Sequence, residues 1–433
     1  MVIILFGLRD LILIIILFFV VVIILIINYS VYWFTLISYN YSVDLISIGL
    51  IILRFWIIYL IIISRYKLKK TNMFYGLFIN LNLILLLALL MVFIRINLLI
   101  FYIYFERSLV LVVIIIIGWG YQIERIQAGI YLLFYTLFVS LPFLLGVLYN
   151  LFYRKVFIIN IMWRFSRVFI CYLILLGFLV KIPMFLVHLW LLKAHVEAPV
   201  AGSIILAGII LKLGGYGIFR LLKMILLYLR IFNLIIVVIS FMGGFYISLI
   251  CLLQVDIKIL IACSSIVHIA IVLSGIITNL FMGYIGGYLL ILGHGICSSG
   301  LFSLRNMFYE RTFRRRFIVI KGIINIIPRF RLWIFILVSS NIAAPPSLNL
   351  FGEIMLMVRL LGFSSYIIFI LFIVSFFRAS YRLYLYIYSQ HGILLEKVRF
   401  YYLRDCRENI LIFMHWVPLN VLFIIEDIFQ VLN

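Results

Sequence analysis

The sequence predicts an all-α polytopic membrane protein with about fourteen transmembrane helices, and three observations carry that prediction. Of 433 residues, 68% are hydrophobic and 11% charged, with a mean hydropathy of +1.35; soluble domains are roughly half apolar and a quarter charged. Apolar runs of about 20 residues, enough to cross the hydrocarbon core as a helix, follow one another and leave no room for a sizeable soluble domain. Two of these runs are interrupted by proline and carry ionisable side chains, 179–223 and 341–353, the pattern of discontinuous helices in ion-coupled membrane proteins.

In chain order the expected spans are 2–17, 18–37, 44–64, 74–94, 97–118, 127–151, 168–192, 198–223, 231–252, 257–278, 283–304, 331–361 with an interruption, 363–388 and 410–428. The first two are weakly separated and read equally as one long helix. Apolar sequence continues from Leu11 to Ile27 without a small-residue cleavage site, so a cleavable signal peptide is not expected. Five cysteines are scattered without a Cys-x-x-Cys pair, which speaks for small buried hydrophobes rather than an iron–sulfur or zinc site.

Thirty-five basic against thirteen acidic residues give +22. In a soluble chain that excess would point to nucleic acid. Here its densest parts, Arg65–Lys70, Arg305–Lys321 and Lys397–Arg407, follow spans three, eleven and thirteen, all on one side. The positive-inside rule places that side in the matrix or cytoplasm. Arg154, Lys155, Arg164 and Arg167 follow span six and argue for the other side.

The stretch 179–223 holds Lys181, His188, His195 and Lys212 at or beside membrane depth. A lysine at the centre of a bilayer helix costs on the order of 3 kcal/mol, which makes it a marker of ion or proton traffic. Lys181, His188 and His195 are spaced by seven; an unbroken helix would hold them on one face over roughly 21 Å with about 20° of drift per heptad. Pro183 and Pro199 interrupt that geometry, and broken backbone at this depth survives only inside protein or against a wet cavity. The second interruption is Asn-Ile-Ala-Ala-Pro-Pro-Ser at 341–347, followed by Glu353. One broken span in each half suggests duplicated halves.

Glu106 lies about a third of the way through an otherwise apolar span. Paired with a lysine, such a carboxylate changes charge state when one proton or one water chain moves; a static ion pair is the plainer alternative. Lys181 and Lys212 sit on successive spans, and His188, His195, His268 and His294 suit a relay between such groups, with hydrogen-bonded packing as the alternative for any one of them. Gly214-Gly215-Tyr216-Gly217 and Gly283-Tyr284-Ile285-Gly286-Gly287 lack the strand and the Lys-Ser/Thr end of a phosphate loop and read as close-packing helix surfaces. No nucleophile–base triad, nucleotide fingerprint or metal-ligand motif is apparent, so no bond chemistry is expected on the chain itself.

At these residues the sequence resembles subunit 4 of NADH:ubiquinone oxidoreductase (respiratory complex I), one of the antiporter-like subunits of the membrane arm. The resemblance rests on Phe105-Glu106, Gly118-Trp119-Gly120-Tyr121-Gln122, Lys181-Ile182-Pro183 through Trp190, Lys193-Ala194-His195-Val196-Glu197-Ala198-Pro199 and Lys212 through Gly217. It continues through Asp256-Ile257-Lys258, Ser264 through His268, His294 through Phe302, Tyr309-Glu310-Arg311, Ala344-Pro345-Pro346 with Gly352-Glu353, and Ser389-Gln390-His391-Gly392. It covers most of 100–430, and the wording is close to the mitochondrially encoded animal form.

The resemblance implies a fold of fourteen helices with two inverted five-helix repeats and two discontinuous helices. It divides the chain into N-terminal helices at 1–95, half-channels at 96–225 and 226–390, and a basic loop with a last helix at 391–433. Glu106 and Lys181 would form the ion pair of the first half-channel and Lys212 would be the central lysine. His188, His195, His268 and His294 would be relay residues, and Glu353 the terminal carboxylate. No cofactor is expected on this chain; NAD, FMN, iron–sulfur clusters and ubiquinone would serve other subunits, while this one moves protons across the mitochondrial inner membrane. Expected partners are other membrane-arm and supernumerary subunits and lipids including cardiolipin, and not nucleic acid. Two other classes share parts of the pattern: a cation/proton antiporter subunit, and a quinone- or haem-binding anchor.

The chain departs from the family in lacking proline at Leu192 and Ile123 and in carrying arginine at Arg54, Arg107, Arg305, Arg359, Arg378 and Arg382, inside apolar runs. Arg107 beside Glu106 complicates the charge of the first pair. A guanidinium at lipid depth without a partner costs several kcal/mol, and the runs around Arg54 and Arg359 offer the fewest partners. Animal mitochondrial codes differ in how they read two standard arginine codons, serine being one common reading. We therefore expect some of these arginines to be products of the translation table and the natural net charge to lie well below +22. Peptide mass spectrometry across 101–125 and 370–392 checks this: serine masses are expected at some of positions 107, 378 and 382, and arginine masses at all of them would end the reading.

Overall fold

Within lipid every backbone donor and acceptor has to be satisfied internally, which leaves the helix as the form for an apolar run of this length. The computed structural model describes residues 36–38, 41–65, 74–120, 122, 124–154, 168–228, 230–312, 314–322, 328–392 and 406–424. Expected span 2–17, residues 18–35 of expected span 18–37, and the basic residues at 155, 164 and 167 lie outside them.

A short antiparallel hairpin, β1 (Leu36–Ser38) and β2 (Tyr41–Val43), opens the described chain. Leu36 and Ile37 were expected to end a helix and are strand instead. The pairing of Leu36 with Val43 turns the chain back toward Asp44, whose backbone N–H donates to the Ser47 hydroxyl at 2.7 Å as the next helix starts. That helix is α1 (Leu45–Ser64), followed by α2 (Tyr75–Ile94), α3 (Leu98–Trp119) and α4 (Arg125–Arg154). Next come α5 (Val168–Lys181) and α6 (Leu189–Glu197), then α7 (Val200–Ile205), which runs through a π turn at Leu206–Ile210 into α8 (Leu211–Tyr228). The second half holds α9 (Arg230–Leu252), α10 (Ile257–Ile277), α11 (Phe281–Thr312), a single turn α12 (Phe317–Ile320), α13 (Pro328–Ile342), α14 (Leu348–Phe363), α15 (Ile367–Gln390) and α16 (Cys406–Ile424).

Nine helices among the described residues are long and apolar enough to cross a membrane. The broken pairs α5/α6 and α13/α14, together with α16, bring the passes to twelve; with the two N-terminal runs this agrees with about fourteen. The run 168–192 is not continuous: helix stops at Lys181, Leu186 adopts a positive φ of 83°, and helix resumes at Leu189. The second expected break is also present, between Ile342 and Leu348.

Contacts between loops fix the direction of the broken helices. The Phe317 N–H donates to Val255 O at 3.0 Å, and an Arg315 guanidinium nitrogen donates to Val196 O at 3.2 Å, so the end of α6, the α9–α10 turn and the basic loop after α11 share one face. Helix α6 ends on that face, and α13 starts near it, with Phe330 against Phe308 and Arg311 at the end of α11. The two broken helices therefore run in opposite directions, the relation expected of inverted repeats.

Position in the bundle follows composition. The apolar window of α11 is buried along its whole length, against 28% for α15, so α11 is a central post and α15 a peripheral one. Glycine lets α14 approach α11 closely: a Cβ at Gly286 would stand 3.0 Å from Gly352 O and 3.0 Å from Leu356 N, both backbone atoms. At the basic-loop end of α11, Arg311 donates to Glu408 of α16 at 2.5 Å, both side chains being buried. Glu408→Ala would leave that guanidinium buried and uncompensated, a loss of about 3–5 kcal/mol. Thermal unfolding in detergent is expected to show the loss, while Arg311→Met/Glu408→Leu recovers most of it.

Candidate functional site

The first element is an ion pair across two helices. α5 ends at Lys181 because Pro183, lacking an N–H, ends the regular ladder after Ile182, whose N–H reaches Phe178 O at 2.8 Å. The freed Val180 carbonyl accepts from the Trp190 indole at 3.2 Å, which ties the resumed helix back to the broken one. The Lys181 ammonium thus sits at a helix C-terminus, where a cation is favoured. It donates to Glu106 Oε1 of α3 at 2.9 Å and lies 3.1 Å above the centroid of the Phe105 ring. Arg107 is on the exposed face of α3, so the partner of Glu106 is Lys181.

The second element is Lys212, the second residue of α8. Across the π turn the Leu211 N–H takes Leu206 O, and the Lys212 ammonium reaches Ala207 O at 2.5 Å. A π turn inside a helix often marks a functional position, and here it provides a carbonyl for a buried cation. A small cavity beside Lys212 is lined by Ile182, Gly215, Ile269, Ile291 and His294. Ile182, the residue after Lys181, forms part of its wall.

From that cavity a row of polar groups crosses the second half. His294 of α11 stacks on His268 of α10, with ring centroids 4.7 Å apart and planes at 29°. His268 Nδ1 is 3.5 Å from Glu353 Oε1 of α14, and Glu353 Oε2 accepts from Arg378 of α15 at 2.5 Å. Arg382 contacts the other ring nitrogen of His268. Lys212, His268, His294 and Glu353 are all at most 4% exposed.

Two of the expected histidines stand apart from this row. The break that ends α5 undoes the seven-residue alignment of Lys181, His188 and His195. His188 is half-buried and stacks on Phe185 at 5.6 Å. His195 is fully buried and lies flat on Phe302 at 4.7 Å and 9°, toward the basic-loop face.

Lys193 is exposed, over the Tyr131 ring at 3.5 Å. Lys258 sits at a span end as expected, yet it is buried, donating to Val196 O at 2.9 Å and to Ala198 O at 2.7 Å. Sequence reasoning gave it no task because its partners are carbonyls some sixty residues away. The arginines also find varied fates. Arg359, which was expected to be hard to partner, donates to the Thr278 hydroxyl and carbonyl, each at 3.1 Å. Arg54 is 0% exposed, with none of its guanidinium nitrogens hydrogen-bonded among the described residues, and it faces only the rings of Phe93 at 5.3 Å and Phe55 at 5.9 Å.

Residues 96–378 match the family model for the transmembrane region of NADH:quinone oxidoreductase and Mrp antiporters, and residues 1–92 match that for the amino terminus of NADH-ubiquinone oxidoreductase chain 4. The chain belongs to the NADH-ubiquinone oxidoreductase chain 4 family. Its relatives include chain 4 from Ceratitis capitata, 47% identical over 407 residues with 93% of this chain and 91% of that one covered, and chain 4 from Aedes aegypti, 49% identical over 396 residues with 90% and 88% covered. The fold is similar to that of a chain in respiratory complex I from Thermus thermophilus with bound NADH, with a TM-score of 0.80 at 20% identity, covering 90% of this chain and 84% of that one.

Within this chain 4 family member, the helix that carries Lys212 meets its neighbours through glycine contacts that differ in kind. A Cβ at Gly214 would stand 2.9 Å from Ile182 N and 2.6 Å from its side chain, whereas at Gly215 the near atom is the flexible Ile291 Cδ1 at 2.7 Å. Gly214→Ala is therefore expected to cost about 1–3 kcal/mol by forcing the end of α5 away, and Gly215→Ala less than half of that. Thermal unfolding of the two variants in detergent makes the comparison.

Proposed function

We propose that this chain is a proton-translocating membrane-arm subunit of NADH:ubiquinone oxidoreductase, moving protons across the mitochondrial inner membrane while electron transfer from NADH to ubiquinone takes place in other subunits. The observation that carries the reading is the buried row Lys212, His294, His268 and Glu353, with a cavity beside Lys212 that is walled in part by Ile182, the residue after Lys181 of the Lys181–Glu106 pair. Titratable groups are costly at this depth and are kept where charge moves. Each can hold or release a proton without any other bond changing.

In this reading the Glu106–Lys181 pair opens and closes. With Glu106 charged, the Lys181 ammonium is held at 2.9 Å. When Glu106 takes a proton, that attraction disappears and the ammonium is free to turn toward Lys212, whose own positive charge then becomes unfavourable and drives a proton on to His294. In this reading the two half-channels are 96–225 and 226–390, with 1–95 before them in the sequence and 391–433 after them. NAD, FMN, iron–sulfur clusters and ubiquinone belong to partner subunits. Other membrane-arm and supernumerary subunits and lipids such as cardiolipin cover the exposed apolar faces, for example Phe134, Phe138 and Leu145 on α4.

A stand-alone cation/proton antiporter subunit shares the Glu/Lys pattern, but the match of residues 1–92 to the chain 4 amino terminus favours the oxidoreductase. Glu106→Gln in the assembled complex tests the function. Turnover and pumping are expected to fall about tenfold or more with assembly intact, and wild-type pumping in that variant would overturn the proposal.

A further inference from the structure

A second cluster of charged groups lies outside the row just described, where α6 ends against the basic loop. Glu197 is the last residue of α6 and is 6% exposed; its Oε1 stands 3.9 Å from an Arg315 guanidinium nitrogen. Its Oε2 is buried and has no hydrogen-bond partner among the described residues. The surrounding backbone is pinned in place, since Arg315 and Lys258 both donate to Val196 O and Lys258 donates to Ala198 O as well. The two cations satisfy carbonyls that the end of α6 leaves open, and the carboxylate is left with one free oxygen. Charged groups acting on Glu197 are Arg315, Lys258 and Glu124.

Two residues earlier, His195 is fully buried against Phe302, and neither of its ring nitrogens has a hydrogen-bond partner among the described residues. It stands close enough to both Lys258 and Lys212 for their charges to act on it. His195 is thus a titratable group between the basic-loop cluster and the central lysine, off the His268–His294 row.

We propose that Glu197, beside Arg315 on the helix end that Lys258 clamps, is the port through which protons enter from the basic-loop face and pass by way of His195 to Lys212. The inference rests on the proton-translocating reading and adds to it the entry point on one side. The steps are proton transfers only. A hydronium ion at the loop face gives its proton to the Glu197 carboxylate and leaves water. The carboxylic acid returns that proton to a water, which passes it to a ring nitrogen of His195. The imidazolium then passes it to a neutral Lys212 amine and returns to imidazole. Because positions i and i+2 of a helix face different directions, the transfer from Glu197 to His195 runs through water rather than by direct contact. The charges of Arg315 and Lys258 favour the carboxylate against its burial and against Glu124, and the fixed Val196 and Ala198 carbonyls hold the helix end in register.

The test uses the intact assembled complex in proteoliposomes, with NADH:quinone turnover and proton pumping read together as the pH on the basic-loop side is varied. Glu197→Gln is expected to slow pumping on the order of tenfold or more, and Glu197→Asp to restore most of it with a displaced pH profile. Adding His195→Gln to Glu197→Gln is expected to cause no further loss, since both lie on one path. Wild-type pumping by Glu197→Gln alongside loss of pumping by Glu106→Gln would overturn the port and leave the translocation reading intact. Wild-type pumping by both would overturn the two together. Where Glu197→Gln does not assemble, the Asp variant decides: an undisplaced pH profile overturns the port.

Discussion

The structure depends on one constraint, that a cation taken out of water has to be given an oxygen, a ring face or a carboxylate close by. Removing an ammonium to a medium of low dielectric costs several kcal/mol even after relaxation, and the scaffold answers in a different way for each lysine. Lys181 receives Glu106 and the Phe105 ring. Among the described residues Lys212 receives the Ala207 carbonyl, inside the π turn. Lys258 receives two carbonyls from the end of α6. A lysine held by a carboxylate changes its surroundings when the carboxylate is protonated, whereas one held by carbonyls keeps them. This separates a switch from a clamp.

Helix breaks supply those oxygens. An uninterrupted helix consumes its own carbonyls, so a bilayer-spanning rod has nothing to offer a buried cation. The break after Lys181 frees Val180 O for Trp190, and the end of α6 frees Val196 O and Ala198 O for Arg315 and Lys258. Broken helices at membrane depth therefore act as donor-seeking ends buried in protein. Their opposite directions in the two halves place one set of open carbonyls toward the basic-loop face. The central helices α10 and α11 carry the stacked histidines between them.

Much of the site was legible before the structure. The cost of charge in lipid singled out Glu106, Lys181 and Lys212, proline marked both breaks, and the Glu106–Lys181 pairing is present at 2.9 Å. What was not legible turned on contacts distant in sequence. The seven-residue spacing of Lys181, His188 and His195 pointed to one shared face, and the break sends them to Glu106, Phe185 and Phe302 respectively. Position near a span end hid Lys258, since a span end reads as exposed until the α6 terminus is found against it. Arg359 had no visible partner in its own run because Thr278 lies eighty-one residues away.

The sequence by itself determined that the chain spans a membrane many times, which runs span it, where two of them break, and which side chains are too costly to be there without a task. Those properties are local: hydropathy, proline chemistry and the self-energy of a charge need no knowledge of neighbours. Only the tertiary structure decided which groups meet. The stacking of His268 on His294, the approach of His268 to Glu353, and the clamp of Lys258 and Arg315 on the end of α6 each join helices far apart in the chain. An ionisable residue announces in sequence that it needs a partner, but the partner is chosen by helix packing, through glycine approaches and crossing directions that hydropathy does not encode.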